Sequence, residues 1–187
     1  MSILNSSGRQ FGRSSLHRAV NFCMAAHCAV GQKRKYTEED YYHHPIEVAN
    51  LVFEHALHWN SAMLIAAVLH DVVEDTQVPL SLIKSQFGSE VAALVDQLTD
   101  VSKPEDGKRS IRKAIDRDHT AKASHQAKTI KLADLISNTR LITARDPKFA
   151  PAYLAEKRQL LEVLKEGDPV LYKMAYDLAY APLAVKS

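Results

Sequence analysis

The stretch SAMLIAAVLHDVVEDT, at positions 61–76, decides the fold. Its first half is apolar on every side, which predicts a helix at the centre of a helical domain, with Asn60 as its amino-terminal cap. Its second half carries His70, Asp71, Glu74 and Asp75. On one continuous helix over residues 61–75, His70 shares a face with Glu74, and Asp71 shares one with Asp75. Burying these groups is costly unless they are paired or bind a metal ion, so the stretch also indicates a functional site.

Helical periodicity continues through most of the chain, and no alternating strand pattern of useful length appears. Only 6 Gly and 7 Pro occur in 187 residues, which also favours helices. Further helices are predicted at residues 14–30, from Pro45 onward, in one long region from the loop 102–108 to residue 145, at 151–166 and at 169–180. The helix from Pro45 is predicted to direct these residues to the core: Ile46, Val48, Ala49, Val52 and Phe53. The sequence therefore predicts a single all-α domain over residues 14–187, behind a flexible tail of residues 1–13.

Charge and composition limit the kinds of molecule that the protein is expected to bind. The formal net charge of +2 is too small to predict nucleic-acid binding, and no apolar run reaches the length of a membrane span. Cys23 and Cys28 are five residues apart on one predicted helix and do not share a face, so we expect reduced, buried thiols. We expect a cytoplasmic protein with a small-molecule ligand and with neither nucleic acid nor membrane as a partner, and the sequence makes no prediction of oligomeric state.

Two further positions can complete a metal site with His70 and Asp71. One is the pair His43-His44 before Pro45, of which only one is expected to bind because neighbouring side chains point in different directions; the other is Asp134 in KLADLISNT. Two histidines and two aspartates suit Mn²⁺ or Fe²⁺, with Zn²⁺ less favoured in the absence of a thiolate. On spacing alone, a buried polar network remains the alternative. The other histidines are expected at the surface or behind the ligands: His17, His27, His55, His58, His119 and His125.

Four segments occur in an order that resembles the hydrolase domain of the RelA/SpoT alarmone enzymes. They are YYHHPIEVANLV (41–52), AAVLHDVVEDT (66–76), FGSEVAALVDQLTDVSK (87–103) and KTIKLADLISNTR (128–140). HDVVEDT together with KLAD and its following asparagine is far more specific than an isolated His-Asp pair. In size the chain is most similar to the small, single-domain alarmone hydrolases of the Mesh type.

The resemblance implies an all-helical HD fold, a phosphohydrolase helical bundle that holds a Mn²⁺ ion. The family's metal ligands correspond to His44, His70, Asp71 and Asp134. Its catalytic acidic pair corresponds to Glu74 and Asp75. A metal ion acidifies a bound water, and a carboxylate one turn from the ligands can accept a proton from that water.

The resemblance also implies a nucleotide site. The arginine that stacks on guanine corresponds to Arg34, with Lys35 beside it, and the asparagine that contacts the base corresponds to Asn138. The turn after Arg34, YTEEDYY, is one residue longer than the family's turn. The implied reaction is hydrolysis of the 3′-pyrophosphate of ppGpp or pppGpp to GDP or GTP and pyrophosphate. The alternatives are an HD phosphohydrolase acting on another nucleotide and a non-catalytic nucleotide-binding protein.

Overall fold

The computed structural model describes residues 13–182, which fold into α-helices joined by short connections. The helices are α1 (Arg13–Ala29), α2 (His43–His55), α3 (Ser61–Leu69), α4 (Val72–Asp75), α5 (Leu80–Phe87), α6 (Ser89–Leu98), α7 (Arg109–Ala121), α8 (His125–Arg145), α9 (Ala150–Leu161) and α10 (Pro169–Tyr180). A short 3₁₀ helix, Pro104–Asp106, precedes α7. Over residues 13–182 the only β pairing is an isolated bridge between Lys33 and Asp40. The all-α prediction is confirmed.

Helix α3 lies at the centre of the bundle. Every residue from 62 to 69 is buried, as expected for a segment that is apolar on all sides. The side chain of Asn60 accepts a hydrogen bond from the amide of Met63 at 2.8 Å and caps the helix as predicted. Helix α3 packs against α1, α2, α6 and α8, and α2 also packs against α8. The junction of α2, α3 and α8 is therefore a fixed, buried point in the fold.

The helix predicted over residues 61–75 is interrupted at His70 and Asp71, so the prediction of one continuous helix is wrong. Helix α3 ends at Leu69, and the short α4 begins at Val72. The Nδ1 atom of His70 lies 2.8 Å from the carbonyl oxygen of Ala67. In an uninterrupted helix that carbonyl would bond the amide of Asp71. The His70 side chain thus replaces a backbone bond at the point where the two helices separate.

Other helix boundaries also differ from the predictions. Helix α2 begins at His43, so Pro45 lies inside its first turn, where a missing amide hydrogen removes no helical bond. The long region ending at residue 145 is two helices, because Ser124 accepts a hydrogen bond from the amide of Ala127 at 3.2 Å and starts α8 anew. Helix α9 ends at Leu161, earlier than the predicted residue 166.

Two side chains, Phe53 and Cys28, are placed differently from the predictions. Phe53 is 54% exposed and packs on Trp59 with a ring distance of 5.0 Å, whereas Leu51 is buried in its stead. Of the two free thiols, only that of Cys23 is buried, and Cys28 is exposed. His27 is completely buried, which excludes the surface and leaves the other expected position, behind the ligands.

The predicted tail, except for Arg13 at the start of α1, lies outside the described residues, as do residues 183–187. Between residues 13 and 182, no helix combines the length and the apolar character needed to cross a membrane.

Candidate metal centre and nucleotide pocket

Four polar side chains meet where α2, α3 and α8 join. His44 comes from the first turn of α2, His70 and Asp71 from the interruption after α3, and Asp134 from the middle of α8. The candidate ligand atoms of His44, His70 and Asp134 all lie within 4.8 Å of one another, and these three residues are buried. The Oδ2 atom of Asp71 is 3.1 Å from the Nε2 atom of His70 and 3.7 Å from that of His44. All four predicted ligands are thus brought together.

Hydrogen bonds define which nitrogen of each histidine faces the centre. The hydroxyl of Ser137 donates to the Glu47 carboxylate at 2.7 Å, so it can only accept from the Nδ1–H of His44, at 3.0 Å. The Nδ1–H of His70 donates to the carbonyl of Ala67. Both Nδ1 atoms therefore carry the hydrogen, and both Nε2 atoms present a lone pair to the centre.

The donor set fits a divalent metal ion. Within the described residues, the buried Nε2 atoms of His44 and His70 have no hydrogen-bond partner, which is unusual for buried polar atoms. Burial by itself would raise the pKa of Asp134, but the nearby Lys131 ammonium counters it and favours the ionised carboxylate, so this pKa lies well below its usual range. Two imidazole lone pairs facing ionised carboxylates form a mixed nitrogen and oxygen site of the kind that divalent transition metals occupy.

The predicted acidic pair lies at the edge of this centre, in α4. Both residues reach solvent, in contrast to the expectation that all four ionisable groups of the central stretch are buried. The Oε2 atom of Glu74 accepts a hydrogen bond from the amide of Asp100 at 3.0 Å. Partial burial of the carboxyl group and the nearby Asp100 carboxylate raise the pKa of Glu74 to about 7. A carboxyl group with this pKa is suited to exchange a proton near neutral pH.

Asp75 is held by residues that the sequence analysis did not assign to the site. The Nε2 atom of Gln32 donates to the Oδ2 atom of Asp75 at 2.9 Å. The Oε1 atom of the same amide lies 2.6 Å from Nδ1 of the buried His27. Tyr41 was also missed, and its hydroxyl donates to the Oδ2 atom of Asp71 at 2.7 Å. Tyr41 is close in sequence to His44, but no sequence signal marks Gln32 or His27, because their role depends on how α1 packs against α4.

A pocket of about 300 Å³ adjoins the metal centre on the side of α2 and the second half of α8. We call it the Arg34 pocket, and its walls include Arg34, Thr37, His43, His44, Ser137 and Arg140. The buried Arg34 donates from Nη1 to the Oδ1 atom of Asn138 at 3.2 Å. Asn138 in turn donates from Nδ2 to the Oδ1 atom of Asp134 at 2.5 Å. A continuous chain of side chains therefore joins the pocket to the metal centre.

The long turn after Arg34 folds back on itself and leaves the guanidinium directed into the pocket. The amide of Arg34 donates to the carbonyl of Glu39 at 2.8 Å, and the amide of Glu38 donates to the carbonyl of Arg34 at 2.9 Å. Within this turn, Glu38 has a φ of 59°, which lies in the left-handed region. Lys35 stands apart from the predicted site, since it is exposed and its ammonium lies 5.0 Å over the Tyr36 ring.

His43 and His44 have different surroundings. His44 is buried in the metal centre, whereas the exposed His43 lies against Tyr42 with a ring distance of 4.4 Å and contributes to the rim of the Arg34 pocket.

On the other side of the centre, the ammonium of Lys131 lies 3.6 Å from the Oδ2 atom of Asp134 and 3.9 Å from the Oδ1 atom of Asp100. Lys131 therefore lies between the metal centre and Asp100.

Comparison with known proteins places this site in a family. Residues 19–186 match the HD domain. The chain is 37% identical over 117 residues to the guanosine-3′,5′-bis(diphosphate) 3′-pyrophosphohydrolase MESH1 of Drosophila melanogaster, a match that covers 62% of this chain and 64% of that protein, just under two thirds. It is 34% identical over 139 residues to the human MESH1, with 72% and 73% covered.

A solved structure agrees with the sequence matches. It belongs to a metazoan ortholog of SpoT described as hydrolysing ppGpp, and it superposes with a TM-score of 0.79 and 26% identity over 91% of this chain and 96% of that one. HD-domain hydrolases bind divalent metal ions, in agreement with the cluster of His44, His70 and Asp134. The resemblance inferred from the four sequence segments is confirmed, and the chain belongs to the HD-domain family.

Proposed function

We propose that this protein hydrolyses the 3′-pyrophosphate of the guanosine alarmones ppGpp and pppGpp, releasing pyrophosphate and leaving GDP or GTP. The observation that carries the proposal is the chain of contacts from Arg34 through Asn138 to Asp134, which ties a pocket with a planar cation to a metal centre flanked by an acidic pair. The names of the MESH1 relatives give the same activity for proteins of this family.

The Arg34 pocket binds and orients the purine nucleoside. A guanidinium is planar and weakly hydrated, so Arg34 is suited to stack on a base in a way that lysine is not. Asn138, which bonds both Arg34 and Asp134, links the pocket to the metal centre and is the proposed contact to the base. Lys35 remains a predicted contact to the substrate, for which the exposed ammonium would have to turn towards the pocket.

The acidic pair carries the proton transfer. His44, His70, Asp71 and Asp134 would hold a divalent ion, which would supply Lewis acidity that lowers the pKa of water and neutralises charge on the attacked phosphate. Glu74 accepts the proton of the attacking water, whose oxygen bonds to the phosphorus next to the ribose. The bond between that phosphorus and the 3′-oxygen breaks, and the 3′-oxygen takes up a proton to become a hydroxyl. Asp75, held by Gln32, orients the water.

Mn²⁺ is the ion we propose, with Fe²⁺ and Zn²⁺ less favoured. Two imidazoles and two carboxylates provide no thiolate, and manganese accepts this mixture together with water in the remaining positions. We also propose that the protein acts on a small-molecule nucleotide in the cytoplasm, a compartment that suits the two free cysteines.

The decisive experiment identifies the products, pyrophosphate and inorganic phosphate included, that the purified full chain releases from each nucleotide with Mn²⁺. ppGpp and pppGpp are offered alongside GTP, GDP and a set of nucleoside monophosphates. We expect turnover of the two alarmones alone. Turnover of a different nucleotide in preference would support the alternative HD phosphohydrolase reading, and no turnover of any nucleotide would contradict an enzymatic function.

Two variants separate binding of the metal from catalysis. Asp71→Ala is expected to lose bound Mn²⁺ and with it all turnover, because it removes a ligand. Glu74→Ala is expected to keep its Mn²⁺ and lose turnover, because it removes only the base. Glu90→Gln, at an exposed position on α6, is the matched control and should behave like the unmodified protein. Metal content retained in Asp71→Ala would show that the ligand assignment is wrong.

A further inference from the structure

A second cavity adjoins the metal centre at Lys131. Its volume is about 130 Å³, and it shares no lining residue with the Arg34 pocket. A single water needs only about 10–15 Å³ by a comparable measure, so the cavity has room for a polyatomic ion. Three lysines from three helices line it: Lys113 of α7, Lys131 of α8 and Lys157 of α9. We call it the Lys157 cavity.

The carboxylates that line this cavity already have partners. Asp100 lies 2.7 Å from the ammonium of Lys113. Asp116 accepts hydrogen bonds from the amides of Val101 and Ser102, at 3.1 and 2.9 Å, and lies 3.3 Å from Lys113.

Glu156 pairs through both of its oxygens with Arg109, at 2.7 and 2.9 Å, outside the cavity. The acidic residues of the wall are therefore committed to other groups, and they do not neutralise all of the lysines.

Lys157 is the lysine left over, and Arg117, a further cation of the wall, donates to the Oε1 atom of Gln159 at 2.6 Å. Within residues 13–182 Lys157 forms neither an ion pair nor a hydrogen bond, and its ammonium lies 4.9 Å from the centroid of the Tyr153 ring. Burial lowers the pKa of Lys157 to about 8 and outweighs the opposite effect of the Asp134 and Asp100 carboxylates, while the nearby Lys131 and Lys113 act in the same direction as burial. A partly buried ammonium without a counter-ion is costly, and an anion in the cavity would remove that cost.

We propose that the Lys157 cavity is a binding subsite for the pyrophosphate group, which it holds while the bond to the ribose oxygen is cut and from which the free anion leaves. The proposal rests on the proposed function for the identity of the anion. Lys131 connects the two places, because it contacts Asp134 of the metal centre and also lines the cavity. The 5′-diphosphate of the same nucleotide offers identical chemistry, so the test must distinguish the two sources.

Measuring the binding of pyrophosphate to the full chain tests the proposed subsite without requiring turnover. Sodium pyrophosphate is titrated calorimetrically into the purified protein without added metal, and GDP is titrated in a parallel series. Loss of the charge-assisted contact in Lys157→Met is expected to weaken pyrophosphate binding roughly 10-fold to 100-fold and to leave GDP binding unchanged. Lys173→Met removes an exposed lysine that pairs with Asp177 on α10, and this control should bind both ligands as the unmodified protein does.

The outcomes separate the subsite from the proposed function. Lys157→Met should not lower the melting temperature, because it removes an unpaired charge, so weaker binding would not reflect unfolding. Equal pyrophosphate binding by Lys157→Met and the unmodified protein would overturn the subsite. Weakened GDP binding with unchanged pyrophosphate binding would assign the cavity to the 5′-phosphates and would also overturn it. Failure of the proposed function would appear separately, as absence of alarmone turnover in the unmodified protein.

Discussion

Replacement of Ser137 by alanine tests how the metal centre is held in place. The Ser137 hydroxyl links the Nδ1 atom of His44, at 3.0 Å, to the carboxylate of Glu47, at 2.7 Å. Without it, the buried Nδ1–H of His44 loses its acceptor, and the imidazole is free to rotate or to change tautomer. Loss of such a supporting contact weakens metal binding roughly 10-fold to 100-fold, which equals about 1.4–2.7 kcal/mol. The direct ligands all remain in Ser137→Ala.

The measurement is the dissociation constant for Mn²⁺, obtained by competition with a chelator, together with turnover at saturating Mn²⁺. We expect the constant to rise and most of the turnover to return once the metal is in excess. Ser85→Ala is the matched control, because Ser85 bonds only a carbonyl of its own exposed helix α5. An unchanged dissociation constant in Ser137→Ala would refute the argument that this hydroxyl fixes the tautomer of His44.

Three further outcomes follow from the geometry. Turnover should rise with pH through about 7 and then level off, because Glu74 accepts a proton only when it is deprotonated and its pKa is raised to about 7. A pH–rate profile measured on Glu74→Gln should lack this rise, and its rates should be roughly 10²–10⁴-fold lower. Gln32→Leu removes the donor to Asp75 and should lower kcat with unchanged Mn²⁺ content, so a normal kcat would exclude a positioning role. Gly167→Ala should destabilise the protein by roughly 1–3 kcal/mol in thermal unfolding, because the added Cβ would lie 2.7 Å from the Cδ1 atom of Leu132, and an unchanged melting temperature would contradict this close contact.

The fold was predictable because its signals are local. The apolar run of α3, the cap at Asn60 and the Asp168-Pro169 start of α10 all act within a few residues, and each occurs where the sequence predicted it. The interruption at His70 was not predictable from periodicity. It arises from a side chain that takes a backbone carbonyl, and both residues at the break still have helical φ and ψ angles.

The candidate site was predictable to the extent that its residue types are unusual for their surroundings. Ionisable groups at the end of an apolar helix indicated His70 and Asp71, the pair His43-His44 and Asp134 were the further candidates, and the resemblance selected His44 from that pair. The supporting residues lacked any such signal. Gln32 and Ser137 are ordinary polar residues in the sequence, and their importance follows only from contacts between residues that are 43 and 93 positions apart.

Helix α8 fixes the distance between Lys131, which lines the Lys157 cavity, and Asn138, which bonds Arg34. Lys131, Asp134 and Asn138 are spaced by three and four residues, so they lie along one face of the same helix. With a rise of 1.5 Å per residue, the positions of Lys131 and Asn138 are separated by roughly 10 Å. Asp134 of the metal centre lies between these two positions along the helix. On the proposed function, a ligand that engages both Lys131 and Asn138 must match this span, so the separation between base and phosphate would contribute to substrate selection together with the base itself.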